Sequence, residues 1–141
     1  MAKNTTKAAV RETGKRTMGL DLGDQHSYYY TLDAAGENVE SGRVKTSREG
    51  LEKRFGGQEA ARVVIEAGTH SPWVSRVLAG LGHEVIVANP RKVRLISDNE
   101  GKDDPVDAEL LMRLGRVHVK LLSPIQHRGT AASRSIRRRR Y

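Results

Sequence analysis

Met18-Gly19-Leu20-Asp21-Leu22-Gly23 is the stretch on which the fold turns. A short apolar run that ends in a turn signal reads as a buried strand. An acid stands inside it. Period-two geometry sends Leu20 and Leu22 to the face opposite Asp21, and a carboxylate in a buried strand is costly without a partner.

Working outward, His26–Asp33 (HSYYYTLD) is rich in Tyr and Thr and reads as a second strand. Ala34-Ala35-Gly36 turns the chain, and Glu37–Thr46 alternates loosely as a third strand, completing an antiparallel meander. The pattern then changes. Ser47 is placed to N-cap a short helix through Phe55, ended by Gly56-Gly57. Arg62–Ala67 is a β-branched strand. Ser71-Pro72 opens a helix with Trp73, Val77 and Leu81 on one face, and Gly82 closes it. Glu84–Asn89 is a further strand, and Pro90 begins a helix carrying Val93 and Ile96. After a polar loop at Asp98–Asp103, Pro105–Val117 reads as a helix with Leu110, Leu111 and Leu114 on its buried side. A meander followed by strand–helix units predicts an α/β fold, a mixed sheet with helices packed on it.

Composition limits the partners. The 141-residue chain carries a net charge of +8 and no cysteine, which leaves neither a disulfide framework nor a thiolate metal site. Met1–Thr17 holds five Lys/Arg against one acid, and His127–Tyr141 holds six Arg and none. Between them the charges nearly balance. Basic arms of this kind neutralise phosphates or simply solubilise. The expected division is a disordered basic arm at 1–17, one folded domain at 18–126 and an Arg-rich, disordered tail at 127–141. No stretch approaches the ~18 apolar residues of a membrane span, and the N-terminus lacks a signal-like apolar region, so a cytoplasmic protein is expected.

Four acids stand out by position. Asp21 lies in the first strand, and Glu66 ends the Val63-Val64-Ile65 strand, which this topology can set beside the first. Asp104 and Asp107, three apart at a helix start, share one face. Converging carboxylates repel unless cations neutralise them, and hard oxygen ligands suit Mg²⁺ or Mn²⁺. Two such ions would clamp both oxygens of a phosphodiester exchange. Each acid also has a plain structural reading. Asp104 before Pro105 is an N-cap pattern with Asp107 at the capping-box position, and Glu66 can be solvated at a strand end.

Four blocks carry a resemblance: Met18-Gly-Leu-Asp-Leu-Gly-Asp, Val63-Val-Ile-Glu-Ala-Gly-Thr, Val85-Ile-Val-Ala-Asn-Pro and Lys102-Asp-Asp-Pro-Val-Asp-Ala-Glu-Leu-Leu. Together they resemble the successive blocks of the DEDD-type insertion-sequence transposases, also known as bridge-RNA-guided recombinases, over about Met18–Gln126. The resemblance implies an RNase H-like (RuvC-type) domain with Asp21, Glu66, Asp104 and Asp107 as its catalytic, metal-holding acids and Mg²⁺ as cofactor. It also implies DNA and a guide RNA as partners, homo-oligomers assembled on DNA, and a bacterial, nucleoid-associated setting. The resemblance also implies a second domain that supplies a nucleophilic serine, which is not expected within these 141 residues. The change at about Arg128 reads as a frameshift or truncation, and Ser123, Ser133 and Ser135 match nothing in that serine block. Complete transposition is therefore not expected of this chain alone.

Arg91, Lys92 and Arg94 follow the strand that leads to the acids, and with Lys102 they are the candidate nucleic-acid contacts. Tyr28–Tyr30 reads as strand packing rather than a base-stacking platform, and Trp73 as core. The histidines, at 26, 70, 83, 118 and 127, lack metal-ligand spacing and read as surface or packing. Two other functions stay open. An ATP-binding domain of the actin and sugar-kinase type shares the Gly-x-Asp-x-Gly strand but needs a second phosphate loop. A non-catalytic nucleic-acid-binding remnant would use only the basic arms.

Overall fold

The computed structural model describes residues 15–99, 108–117 and 124–126. The elements run β1 (Arg16–Asp21), β2 (His26–Leu32), β3 (Asn38–Lys45), α1 (Arg48–Phe55), β4 (Ala61–Glu66), α2 (Ser71–Gly80), β5 (Glu84–Ala88), α3 (Pro90–Asn99) and α4 (Ala108–Val117). The five strands form one mixed sheet in the order β3-β2-β1-β4-β5. β1, β2 and β3 are the expected antiparallel meander, and β4 and β5 join β1 in parallel.

Local chemistry explains most boundaries. The Ser47 hydroxyl accepts from the Gly50 N–H at 3.0 Å and caps α1. The Asn89 side chain accepts from the Arg91 N–H at 2.9 Å and caps α3, with Pro90 pre-set at its first turn. Gly82, at φ 98°, adopts the left-handed conformation that ends α2. β1 begins at Arg16, inside the span expected to be a disordered arm, because Arg16 and Thr17 pair with Ala61 and Arg62 of β4.

Helices cover both faces of the sheet. On one, Leu51 and Phe55 of α1 and Val74 and Leu78 of α2 pack on Met18, Leu20, Val63 and Ile65. On the other, Val93 of α3 and Leu111 and Leu114 of α4 pack around Val64 and Ala88. The predicted α2 face is corrected in phase. Ser71, Val74 and Leu78 are its buried line, while Trp73, Val77 and Leu81 are half-buried beside it. His83 is buried and holds three elements together. Its Nδ1 accepts from the Ala61 N–H at 3.1 Å and its Nε2 donates to the Phe55 carbonyl at 2.9 Å. Along the outer edge of β5, the Ile125 N–H donates to the Val87 carbonyl at 2.7 Å. Among the described residues no helix is long and apolar enough to cross a membrane.

Candidate functional site

β1 and β4 end together. Their parallel register sets Gly19 against Val64 and Leu20 against Ile65, which brings Asp21 and Glu66 side by side at the carboxyl ends of adjacent strands. Both face the α4 side, since Leu20 and Ile65 point into the opposite core. They line a cleft of about 180 Å³ together with Asp24 and the loop Ala67–His70. The expected meeting of Asp21 and Glu66 is therefore present.

Their burdens are the reverse of the sequence expectation. Asp21 is the last residue of β1 and half-buried rather than enclosed. Glu66 carries the electrostatic strain: its Oε2 is buried and, among the described residues, accepts no hydrogen bond. Burial raises the Glu66 carboxyl above its ordinary value, the Arg94 guanidinium opposes the rise, and the nearby Asp21 charge adds to it. Arg94 thus stands within electrostatic reach of the cleft. Arg91 and Lys92 are exposed on the same helix, α3.

Asp104, Asp107 and Lys102 lie outside the described residues. Among the described residues no group of three or more His, Cys, Asp or Glu side chains is gathered as a metal cage. The donor set is nevertheless suited to a hard cation. Two carboxylates lie side by side, and one carries a buried oxygen that no described residue hydrogen-bonds.

Two cleft residues, His70 and Asp24, were not among the expected site residues. His70 Nδ1 accepts from the Trp73 indole N–H at 3.1 Å, so its proton sits on Nε2, which donates to Asp24 Oδ1 at 3.0 Å. The spacing of His70 and Trp73 by three on one helical turn is visible in the sequence. The approach of Asp24 from the β1–β2 turn is not.

Residues 18–140 match the model of a transposase family, the DEDD type named for IS110. In structure the chain is similar to the ethanolamine utilization protein EutJ from Carboxydothermus hydrogenoformans. That likeness has 19% identity, a TM-score of 0.37, and coverage of 63% of this chain and 41% of that one. It is too slight to bear on fold or function. No curated protein sequence matches the chain.

Proposed function

The chain belongs to the IS110-type DEDD transposases, and from that premise we propose that its carboxylate cleft is the metal-dependent centre of DNA strand cleavage and exchange on an RNase H-like (RuvC-type) domain. The observation that carries this reading is Glu66 Oε2, buried beside Asp21 and without a hydrogen-bond partner among the described residues. A buried carboxylate in that state demands a proton or a cation. The strand order, a meander joined through β1 to a parallel pair, supports the fold that the resemblance implies.

In this reading Asp21, Glu66, Asp104 and Asp107 hold Mg²⁺ or Mn²⁺. Support for the last two comes from α4, which begins at Ala108, and Ala108 abuts Gly19, two positions before Asp21. When bound, such ions neutralise phosphodiester charge and activate an attacking oxygen. The chain's own residues do the rest. β1 and β4 hold both carboxylates in fixed register, with one Glu66 oxygen buried. Arg94, beside Arg91 and Lys92, offers fixed positive charge to a phosphate backbone. Lys102, the basic arm at 1–17 and the Arg-rich residues 127–141 are assigned the same role around a domain at 18–126. DNA and a guide RNA are its partners, and a homo-oligomer is its working assembly.

Calorimetric titration with Mn²⁺ tests the reading. The wild-type chain is expected to bind the ion and melt at higher temperature as its concentration rises. Asp21→Asn and Glu66→Gln are expected to remove most of that gain. Equal Mn²⁺ affinity in wild type and both variants would sink the assignment.

A further inference from the structure

Three tyrosines in a row, Tyr28-Tyr29-Tyr30, meet different fates in β2. Tyr29 is buried at 7% exposure, packs edge-on against Phe55 at 5.5 Å, and accepts at its hydroxyl from Arg54 Nε at 2.9 Å. That accounts for the packing role expected of the run. Tyr28 is the opposite case. It is 51% exposed, and among the described residues it makes no hydrogen bond or ring contact.

Its place in the sheet gives the exposure a direction. The register sets Tyr28 directly across from Asp21 on one side and from Arg43 on the other. Direct cross-strand partners share a face and stand about 5 Å apart. One row therefore runs Arg43, Tyr28, Asp21, with Glu66 next on β4, and the Arg94 charge on α3 acts on Glu66. Arg43 is exposed and forms no ion pair among the described residues. At the β3 edge beside the tyrosine lies an open depression of about 400 Å³ lined by Tyr28, Tyr29, Ser41, Gly42 and Arg43.

We infer that Tyr28 and Arg43 form a landing strip for single-stranded nucleic acid, the Tyr28 ring stacking on a base and Arg43 holding the adjoining phosphate, so that the strand is led over Asp21 and Glu66 toward Arg94. An exposed aromatic ring flanked by a cation is the pairing that binds unpaired strands, because every base offers a π-face and every linkage a phosphate. Duplex DNA keeps its bases stacked internally and gains nothing from the ring. The charges are complementary as well: Arg43 and Arg94 draw the backbone, and the carboxylates of the row are where the proposed cations sit. This inference rests on the reading of the cleft as the strand-processing centre, but its readout does not depend on metal.

Fluorescence anisotropy of the full 141-residue chain with a labelled oligothymidylate, its oligouridylate counterpart and a duplex tests it. Tyr28→Ala is expected to weaken single-strand binding at least about fivefold and leave duplex binding unchanged, while Tyr28→Phe binds as wild type. Arg43→Ala is expected to weaken binding and lower its salt dependence. Stronger binding of the thymidylate identifies the strand as DNA, and of the uridylate as RNA. Irradiation of wild-type protein with an iodouracil-substituted strand is expected to cross-link Tyr28, a readout that requires no variant to fold. Wild-type affinity in Tyr28→Ala, an equal loss on duplex, a change of oligomeric state in its place, or cross-links that avoid Tyr28 would each overturn the inference. Mn²⁺ binding lost in Glu66→Gln would in those cases leave the metal centre standing. Conversely, intact Mn²⁺ binding in Glu66→Gln with a Tyr28-dependent strand affinity would remove the metal reading alone.

Discussion

Gly19 of β1 lies directly beneath the Ala108 carbonyl of α4, and a Cβ built on Gly19 would overlap that oxygen. Hydrogen in place of a side chain is what lets the first turn of α4 settle onto β1. A second glycine repeats the device, since a Cβ on Gly115 would overlap the Val64 side chain. The close helix–sheet approach brings the chain that follows the acidic Lys102–Asp107 block to the strand that ends in Asp21.

Gly19→Ala should therefore cost about 1–3 kcal/mol or more, because the atom it meets is backbone and cannot rotate away. Gly80→Ala at the end of α2, where a Cβ meets nothing within 4 Å, should be neutral or slightly stabilising. Urea denaturation of both variants checks the contrast. Equal midpoints would mean that α4 does not sit where it is described. Mn²⁺ affinity should fall in Gly19→Ala as well, if the block before α4 supplies ligands.

The pH dependence of stability carries two carboxylates of opposite sign. Burial raises Glu66 against the pull of Arg94, with Asp21 adding to the rise. Its folded state holds the proton more tightly than the unfolded chain. Its contribution is thus complete below the ordinary value of 4.5 and disappears as pH climbs through the raised one. Glu84 is pushed up by burial, but Arg62, at 3.2 Å, and Lys15, at 3.4 Å, outweigh that and leave it lowered. Its contribution is present above 4.5 and is lost as pH falls through the lowered value. Without divalent metal, Glu66→Gln should lessen the decline on the higher side of 4.5, and Glu84→Gln should flatten the acid limb. Denaturation midpoints across pH decide both, and a Glu66→Gln profile parallel to wild type would show that Glu66 is freely solvated.

Asp104 separates capping from ligation. Asn caps helices as well as Asp does, so Asp104→Asn should leave metal-free stability unchanged while weakening Mn²⁺ binding. If Asp104 caps a helix that starts at Pro105, Asp104→Ala should lose about 1 kcal/mol of stability in addition. Identical Mn²⁺ isotherms for wild type and Asp104→Asn would reduce the residue to a cap.

His83→Ala should destabilise by about 2–5 kcal/mol, since it strips partners from the Ala61 N–H and the Phe55 carbonyl within the core. Leu51 and Phe55 of α1 share that core with β4, so hydrogen exchange should rise in both elements together. A loss below about 0.5 kcal/mol would mean that water replaces the imidazole at both groups.

Much of the fold was legible because its signals are local. Ser47 caps, Gly82 breaks and Pro90 starts helices through atoms within four residues of themselves, and the alternation in β2 is a property of the strand alone. The acidic residues of the site were legible as types in odd places, Asp21 in an apolar strand and Glu66 at the end of another. By itself the sequence determined the order of elements, the meander, the alternation of strands and helices after it, and which acids were candidates.

Only the tertiary structure decided which residues meet. Whether Glu66 lies beside Asp21 depends on a parallel register between segments some forty residues apart, and no local pattern sets that offset. The same holds for Tyr28 and Tyr29. Identical side chains divide between solvent and core because α1 packs on the Tyr29 face of β2 and Tyr28 lies exposed on the other. It also holds for α2, where Val74 and Leu78 rather than Trp73 and Val77 are buried, since the phase of a helix is chosen by the sheet it packs on. Asp24 reached His70 across the cleft for the same reason. Spacing along a chain fixes periodicity, whereas burial and side-chain pairing are set by the partner surface, and that surface exists only once the strands have been assembled.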